Sequence, residues 1–118
     1  MLLVRNVGHD DGWETLGGAV EPGESPAAAV REVREEIGTD AELVRLLDVL
    51  GGPDYEVRYP NGDRVAYVSA VYQARTISGS PAPSDGELSQ VAWFSPDELP
   101  ALRLSRLARG LLRATGHL

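Results

Sequence analysis

The chain has 118 residues, a length that suits one domain with a single packed core but not two domains. Its 42% hydrophobic and 25% charged residues are typical of a globular protein and argue against a disordered one. The net charge of −7 disfavours nucleic acid and anionic membranes as partners, and the absence of cysteine excludes disulfides and thiolate catalysis.

The start of the chain predicts neither secretion nor membrane insertion. Its apolar stretch stops at Arg5, which is too short for the core of a signal peptide. No later apolar run approaches the length of a membrane span. We therefore expect a cytoplasmic protein with no membrane partner.

The first forty residues predict short strands, a turn-rich loop and one helix. Leu2 to Arg5 fits a buried strand, Gly8 to Gly12 a turn that contains His9, and Trp13 to Leu16 a second short strand. Glycine and proline then forbid regular structure up to Ser25, which resembles an N-cap. The helix should run from about Pro26 to Ile37 and end at Gly38.

The remaining residues predict mainly strands and end in a helix. Ala41 to Leu50 fits a strand, and Tyr55 to Tyr59 and Arg64 to Ala74 flank an Asn-Gly turn that indicates a hairpin. Val65 to Tyr72 is apolar at almost every position, which favours a central strand covered on both faces. The last predicted elements are an exposed loop at Thr76 to Gly86, a strand at Val91 to Phe94, and a helix with leucines from Leu104 to Leu112.

Three glutamates share one face of the predicted helix. With Glu32 at zero and about 100° per residue, Glu35 falls at about 300° and Glu36 at about 40°, apart from the apolar sector of the helix. Like charges at this spacing cost about 0.2–0.5 kcal/mol per pair, which a divalent cation would offset. Oxygen ligands favour Mg²⁺ or Mn²⁺, and Mg²⁺ completes its shell with water and phosphate. The cluster therefore indicates phosphate chemistry.

This stretch resembles the Nudix box. In that motif a glycine is followed, after five residues, by a glutamate, and after seven more residues by Arg-Glu and then Glu-Glu. Gly18 and Glu24 fit the first spacing, and Arg31 to Gly38 fits the second half, with Thr39 in place of the final aliphatic residue. Trp13, Val91 to Phe94 and Asp97 to Pro100 resemble further family features, so the similarity spans nearly the whole chain. The resemblance implies one Nudix hydrolase domain over residues 1–118, an α/β/α sandwich with a mixed β-sheet.

The chain departs from the family pattern at three places. Six residues instead of seven separate Glu24 from Arg31, so these side chains cannot meet in the usual register unless the first helical turn is rebuilt. Leu16 replaces a proline, which changes the stiffness of the loop. The usual first strand is missing before Leu2, so we expect an exposed sheet edge there, covered by a second copy of the chain in a homodimer.

The resemblance also assigns roles to individual residues. Glu32 and Glu36 would be the principal metal ligands, with Glu35 as another ligand or a base acting through water, and the carbonyl of Gly17 as an added ligand. Glu87 would bind another metal or activate water, and Arg31 would orient the carboxylates. The candidates for substrate contacts are Gly18, Trp13, Tyr55 and Arg64.

Each of these roles has a simpler structural alternative. The glutamates could form an ordinary solvated helix face, the glycines ordinary turns, and Arg31 a pair with its neighbours. Glu87 is explained equally well as an exposed loop residue. Trp13 and Tyr55 are more often core residues than base-stacking ones. Two explanations, phosphate contacts and the solubility of edge strands, account equally well for three arginines, Arg5, Arg58 and Arg64.

The implied reaction is attack of water on a phosphorus of a nucleoside diphosphate that is linked to another group. The tract from Tyr55 to Arg64 resembles ADP-ribose and nucleotide-sugar hydrolases, which favours these small molecules over the alternative substrates, nucleoside triphosphates. Two hypotheses from other classes remain, a domain that binds nucleotide or metal without turnover and a purely structural acidic domain.

Overall fold

The computed structural model describes residues 1–8, 12–18 and 20–118, and for Pro26 the backbone alone. The turn predicted around His9 lies outside the described residues. The strands are β1 (Leu2–Asn6), β2 (Asp40–Leu50), β3 (Glu56–Arg58), β4 (Arg64–Ala66), β5 (Ser69–Ser78) and β6 (Leu88–Trp93). The helices are α1 (Ala29–Ile37) and α2 (Arg106–Ala114), with 3-10 turns at Pro26–Ala28, Pro53–Tyr55 and Leu99–Ala101. Among the described helices, none has the length and apolarity of a membrane span.

The strands form antiparallel ladders in the described ranges: β1 with β6, β2 with β5, and β3 with β4. Isolated bridges extend the first ladder, because Val4 pairs with Glu14 in antiparallel fashion and Trp13 pairs with Leu104 in parallel. The strand predicted at Trp13 to Leu16 is reduced to these bridging residues. The predicted α/β class is confirmed. In the described ranges, the strands pair in antiparallel fashion, and the parallel pairing is the bridge between Trp13 and Leu104.

β1 lies in the core because its successive side chains face two different helices. Leu3 is fully buried in an apolar cluster with Leu112 of α2, whereas Val4 is buried in a second cluster with Ile37 of α1. Neighbouring residues of a strand point to opposite faces, so the two clusters lie on opposite sides of β1. Full burial of each such side chain contributes about 1.5–3 kcal/mol. This arrangement is the layered packing that the resemblance implies.

The prediction of an exposed sheet edge at Leu2 to Arg5 is wrong. β1 pairs with β6 on one side. On the other side, Val4 N donates to Glu14 O at 2.9 Å and Glu14 N donates to Val4 O at 2.8 Å. The β1 strand therefore needs no second copy of the chain to pair with Val4, and the homodimer stays a prediction.

The apolar run from Val65 to Tyr72 does not form one central strand. It is divided between β4 and β5 by Tyr67 and Val68, and Val68 is 77% exposed. The prediction of a strand covered on both faces is wrong, because an apolar run does not reveal where the chain bends between two ladders. The predicted hairpin is confirmed, with Gly62 at a φ of 94° in its turn.

Two other boundaries differ from the prediction. β5 continues to Ser78, because Thr76 pairs with Ala41 and Ser78 with Asp40, so the loop that follows is shorter than predicted. The C-terminal helix begins after Ser105, whose side chain accepts a 3.1 Å hydrogen bond from Ala108 N. Both differences come from pairing with distant segments, which overrides the local composition.

Candidate active site

The helix that bears the glutamates begins with a 3-10 turn. Residues Pro26–Ala28 form this turn and α1 follows it, without a side-chain cap at its start. The prediction that the Ser25 side chain caps the helix is wrong, since Ser25 contributes its carbonyl, which accepts from Ala28 N at 2.9 Å. The predicted end is confirmed, because Gly38 adopts the left-handed conformation at a φ of 67°.

The 3-10 turn accommodates the shortened junction between Glu24 and Arg31. Three 3-10 residues rise about 6 Å, as far as about four α-helical residues. The greater rise of the 3-10 turn therefore makes up the length along the helix axis that the missing residue would have supplied. Arg31 reaches Glu24 through two hydrogen bonds of 2.9 Å, from Nε to Oε2 and from Nη2 to Oε1. The first turn is thus rebuilt, as the sequence requires if these side chains are to meet.

Arg31 also holds two glutamates of its own helix. Its Nη1 donates to Glu35 Oε1 at 2.9 Å and its Nη2 donates to Glu32 Oε1 at 3.1 Å. The hydrogen bonds from Arg31 are the largest cause that lowers the pKa of Glu24. A planar guanidinium with several donors can bind several carboxylates at fixed angles. Arg31 therefore contacts Glu24, Glu32 and Glu35 together, which agrees both with the predicted orienting role and with simple pairing between neighbours.

Glu32 lies against the backbone of Gly18. A Cβ added to Gly18 would lie 2.8 Å and 2.9 Å from the two carboxylate oxygens of Glu32. Space, and not an unusual backbone conformation, therefore favours glycine at this position. A Cβ added to Gly17 meets nothing within 4 Å, so a side chain is tolerated there.

The loop of residues 79–87 is packed on the C-terminal end of α1. Ser84 N donates to Glu36 O at 3.0 Å, and Ser84 Oγ donates to Glu35 O at 2.7 Å. Ala82 N donates to Ile37 O at 3.2 Å. These bonds satisfy carbonyls that the end of a helix leaves without partners. The segment predicted to be an exposed loop is thus anchored beside the glutamates.

The anchored loop brings Asp85 and Glu87 near Glu36. Burial, followed by repulsion from Glu32, Asp85, Glu87 and Glu35, raises the pKa of Glu36 to about 7. Asp85 also accepts a 3.0 Å hydrogen bond from Glu87 N, which shapes the end of the loop. Sequence reasoning missed Asp85, although an acidic residue two positions before Glu87 is a usable signal for it.

An open cavity of about 410 Å³ adjoins this acidic cluster. It is lined by Asn6, Val7, Gly8, Gly86 and Glu87. Its volume lies within the range of about 300–1,000 Å³ that is common for small-molecule sites. Glu87 belongs both to the wall of the cavity and to the acidic cluster.

The acidic cluster has the chemistry of a divalent-cation site. Its donors are oxygens. Burial and then repulsion from neighbouring carboxylates raise the pKa of Glu36, and a cation would relieve the repulsion. Among the described residues, no three acidic or histidine side chains have the geometry of a complete metal-binding set. Mg²⁺ typically takes one or two carboxylates and completes its shell with water and phosphate. Glu32 and Glu36 can supply that number.

Three predicted substrate contacts are used elsewhere in the structure. Trp13 packs edge-on against Phe94, with ring centroids 4.9 Å apart, beside the core cluster that contains Leu3. Tyr55 is 8% exposed and lies against α2. Arg64 Nε donates to Glu56 Oε1 at 2.6 Å within the hairpin. Packing in the core, the simpler alternative, therefore explains both aromatic residues. The Arg64 guanidinium is already bound to the Glu56 carboxylate.

Comparisons with known proteins agree with this fold. The family model described as NUDIX domain matches residues 1–114. The NAD-capped RNA hydrolase NudC of Pseudomonas aeruginosa is 35% identical over 115 residues, which cover 95% of this chain and 38% of the relative. The putative ADP-ribose pyrophosphatase YjhB of Bacillus subtilis is 33% identical over 107 residues, covering 90% of this chain and 49% of the relative. The chain thus spans less than half the length of these curated relatives.

Solved structures show the same architecture. A UDP-X diphosphatase matches with a TM-score of 0.72 and 28% identity, over 99% of this chain and 57% of that one. A MutT NUDIX hydrolase from Burkholderia pseudomallei matches with a TM-score of 0.75 and 29% identity, over 95% of this chain and 84% of that one. Together with the box from Gly18 to Gly38, these matches show that the chain belongs to the NUDIX domain family.

Proposed function

We propose that the chain is a divalent-metal-dependent hydrolase that cleaves the pyrophosphate bond of a nucleoside diphosphate linked to another group. The observation that carries the proposal is the carboxylate cluster around Glu36, which adjoins the glutamates held by Arg31. The relatives named above act, by their names, on NAD-capped RNA, ADP-ribose and UDP-X. These names favour ADP-ribose or nucleotide-sugar substrates over nucleoside triphosphates.

Glu32 and Glu36 are the proposed ligands of Mg²⁺ or Mn²⁺, with Glu35 and the carbonyl of Gly17 as further candidates. The cation, when bound, supplies positive charge against the oxygens of the pyrophosphate. Arg31 holds Glu32 in place, and Gly18 leaves the space that the Glu32 carboxylate occupies. The chain thereby holds one of the two proposed ligands, Glu32, in a defined position.

Glu87 is the better candidate to accept the proton of the attacking water. It lines the open cavity beside the cluster, where a substrate has room to bind. Glu35 instead engages Arg31 at 2.9 Å and is 52% exposed, so it serves mainly to position Arg31. The predicted catalytic roles of Arg31, Glu35 and Glu87 are thus divided between orienting the ligands and moving a proton.

A substrate panel tests the proposal. The full chain is incubated with Mg²⁺ or Mn²⁺ and with ADP-ribose, a UDP-sugar, NAD or nucleoside triphosphates, and the products are quantified. We expect cleavage of the linked diphosphates and its loss in Glu36→Gln. Glu42→Gln removes an equivalent charge from an exposed ion pair between Glu42 of β2 and Arg75 of β5, and this variant is expected to stay active. Preference for triphosphates supports the alternative substrates, and an absence of metal-dependent turnover supports a domain that only binds.

A further inference from the structure

A second cavity shares no lining residue with the cavity beside Glu87. It measures about 270 Å³ and is lined by Pro53, Glu56, Arg58 and Arg106. These residues belong to the 3-10 turn before β3, to β3 itself and to the first position of α2. The cavity is therefore assembled by segments about fifty residues apart in the sequence, and local sequence patterns do not reveal it.

The charges of this cavity are unbalanced. Glu56, its acidic wall residue, is neutralised by the hydrogen bond and ion pair with Arg64. Within the described part of the chain, Arg58 and Arg106 have no ion pair and no side-chain hydrogen bond. Asp54 belongs to the same 3-10 turn as Pro53 but is not among the residues that line the cavity. Arg58 and Arg106 thus line one open cavity whose acidic wall residue is already paired with Arg64.

Four other arginines of the described residues are held by carboxylates. The pairs are Arg31 with Glu24, Arg34 with Asp40, Arg64 with Glu56 and Arg75 with Glu42. In a chain with a net charge of −7, carboxylates are in excess over cationic side chains. Arg5, Arg45 and Arg109 each donate to an uncharged oxygen, of Gln90, Gln73 and Leu102 respectively. Arg58 and Arg106 have neither kind of described partner and line the same cavity.

We propose that this cavity binds the phosphate group of a small phosphorylated molecule, with Arg58 and Arg106 as the donors. Guanidinium groups match phosphate oxygens through paired N–H donors, and two of them balance the charge of a phosphate dianion. The first turn of α2 adds a weaker attraction, because the N-terminus of a helix favours anions. The volume exceeds that of a single phosphate and leaves room for an attached group. This site does not depend on hydrolysis at the acidic helix.

The test is a calorimetric titration of the full chain with inorganic phosphate in the presence of EDTA. EDTA removes divalent cations, so phosphate cannot be bridged to Glu32 and Glu36. We expect Arg58→Gln and Arg106→Gln each to weaken binding by about tenfold or more, as the loss of a charge-assisted contact implies. Arg113→Gln, on the exposed side of the same helix, is the matched control and is expected to bind as the unaltered chain does.

A further variant gives a change in the opposite direction. Glu56→Gln removes the carboxylate from the cavity wall, so we expect tighter phosphate binding. Circular dichroism checks that each variant is folded. Unchanged affinity in Arg58→Gln and Arg106→Gln, or a loss of binding in Glu36→Gln, would overturn the proposal. Acetate that binds as tightly as phosphate would overturn the ligand class.

Discussion

The carboxyl group of Glu32 lies so close to Gly18 that an added Cβ would stand 2.6 Å from the Glu32 Cδ. The contact joins the loop before the helix to a proposed metal ligand on the helix. The atom that would have to move belongs to a flexible side chain, so the backbone can remain in place. A substitution at Gly18 is therefore expected to displace the ligand without unfolding the chain.

Gly18→Ala should reduce metal-dependent turnover by about tenfold or more, because active-site groups lose rate steeply when displaced by about 1 Å. Gly51→Ala is the control, since Gly51 lies outside the proposed site and its added Cβ would make only an ordinary contact, 3.6 Å from Val68. Turnover and Mn²⁺ affinity are measured for both variants, together with the melting temperature. Equal activity of the two variants would show that the position of Glu32 does not matter.

Arg31→Lys should lower kcat/KM by about tenfold or more, because an ammonium is a point charge and cannot hold three carboxylates at fixed angles. Arg34→Lys is the control, since Arg34 lies on the same helix but pairs with Asp40. Steady-state kinetics on the best substrate of the panel measure the effect. A similar loss in both variants would indicate a general effect on the helix and not a role for Arg31.

The pH dependence of stability should report on Glu36. Its pKa is raised to about 7 in the folded chain, from 4.5, so the folded state binds this proton more tightly than the unfolded state does. The stabilisation is complete below about pH 4.5 and is lost as the pH rises through about 7. Because Glu36 is only partly buried, solvent screens part of this effect. Between pH 5 and pH 8, we expect this group to lower the free energy of unfolding without metal by about 1–2 kcal/mol.

Chemical denaturation in EDTA at several pH values measures this loss. Glu36→Gln should remove it and should be more stable than the unaltered chain at pH 8, whereas Glu42→Gln should keep it. Identical pH profiles for the chain and for Glu36→Gln would show that another group is responsible.

Metal binding should become stronger as the pH rises, because the cation competes with the proton on Glu36. Mn²⁺ should therefore raise the melting temperature more at pH 8 than at pH 6, and it should have little effect on Glu36→Gln. The measurement is a thermal shift with and without Mn²⁺ at both pH values. A chain that gains no stability from Mn²⁺ at either pH would favour the purely structural acidic domain.

Local pattern was enough to predict α1 and its end at Gly38, because helical periodicity and the left-handed terminator are properties of consecutive residues. The hairpin at Asn61 and Gly62 follows from turn chemistry in the same way. The shared face of Glu32, Glu35 and Glu36 is likewise a matter of spacing. These elements could be predicted because each depends on residues that are close together in the sequence.

Partners distant in sequence could not be predicted by the same means. Ser84 contacts Glu35 across 49 positions, and this contact brings Asp85 to the glutamates. The backbone N–H and C=O groups of β1 could pair with any strand edge. That β1 pairs with Glu14 and β6 depends on how Leu3 and Val4 pack against the two helices. Backbone hydrogen-bonding groups are the same in every strand, so the choice of partner rests on packing between distant segments.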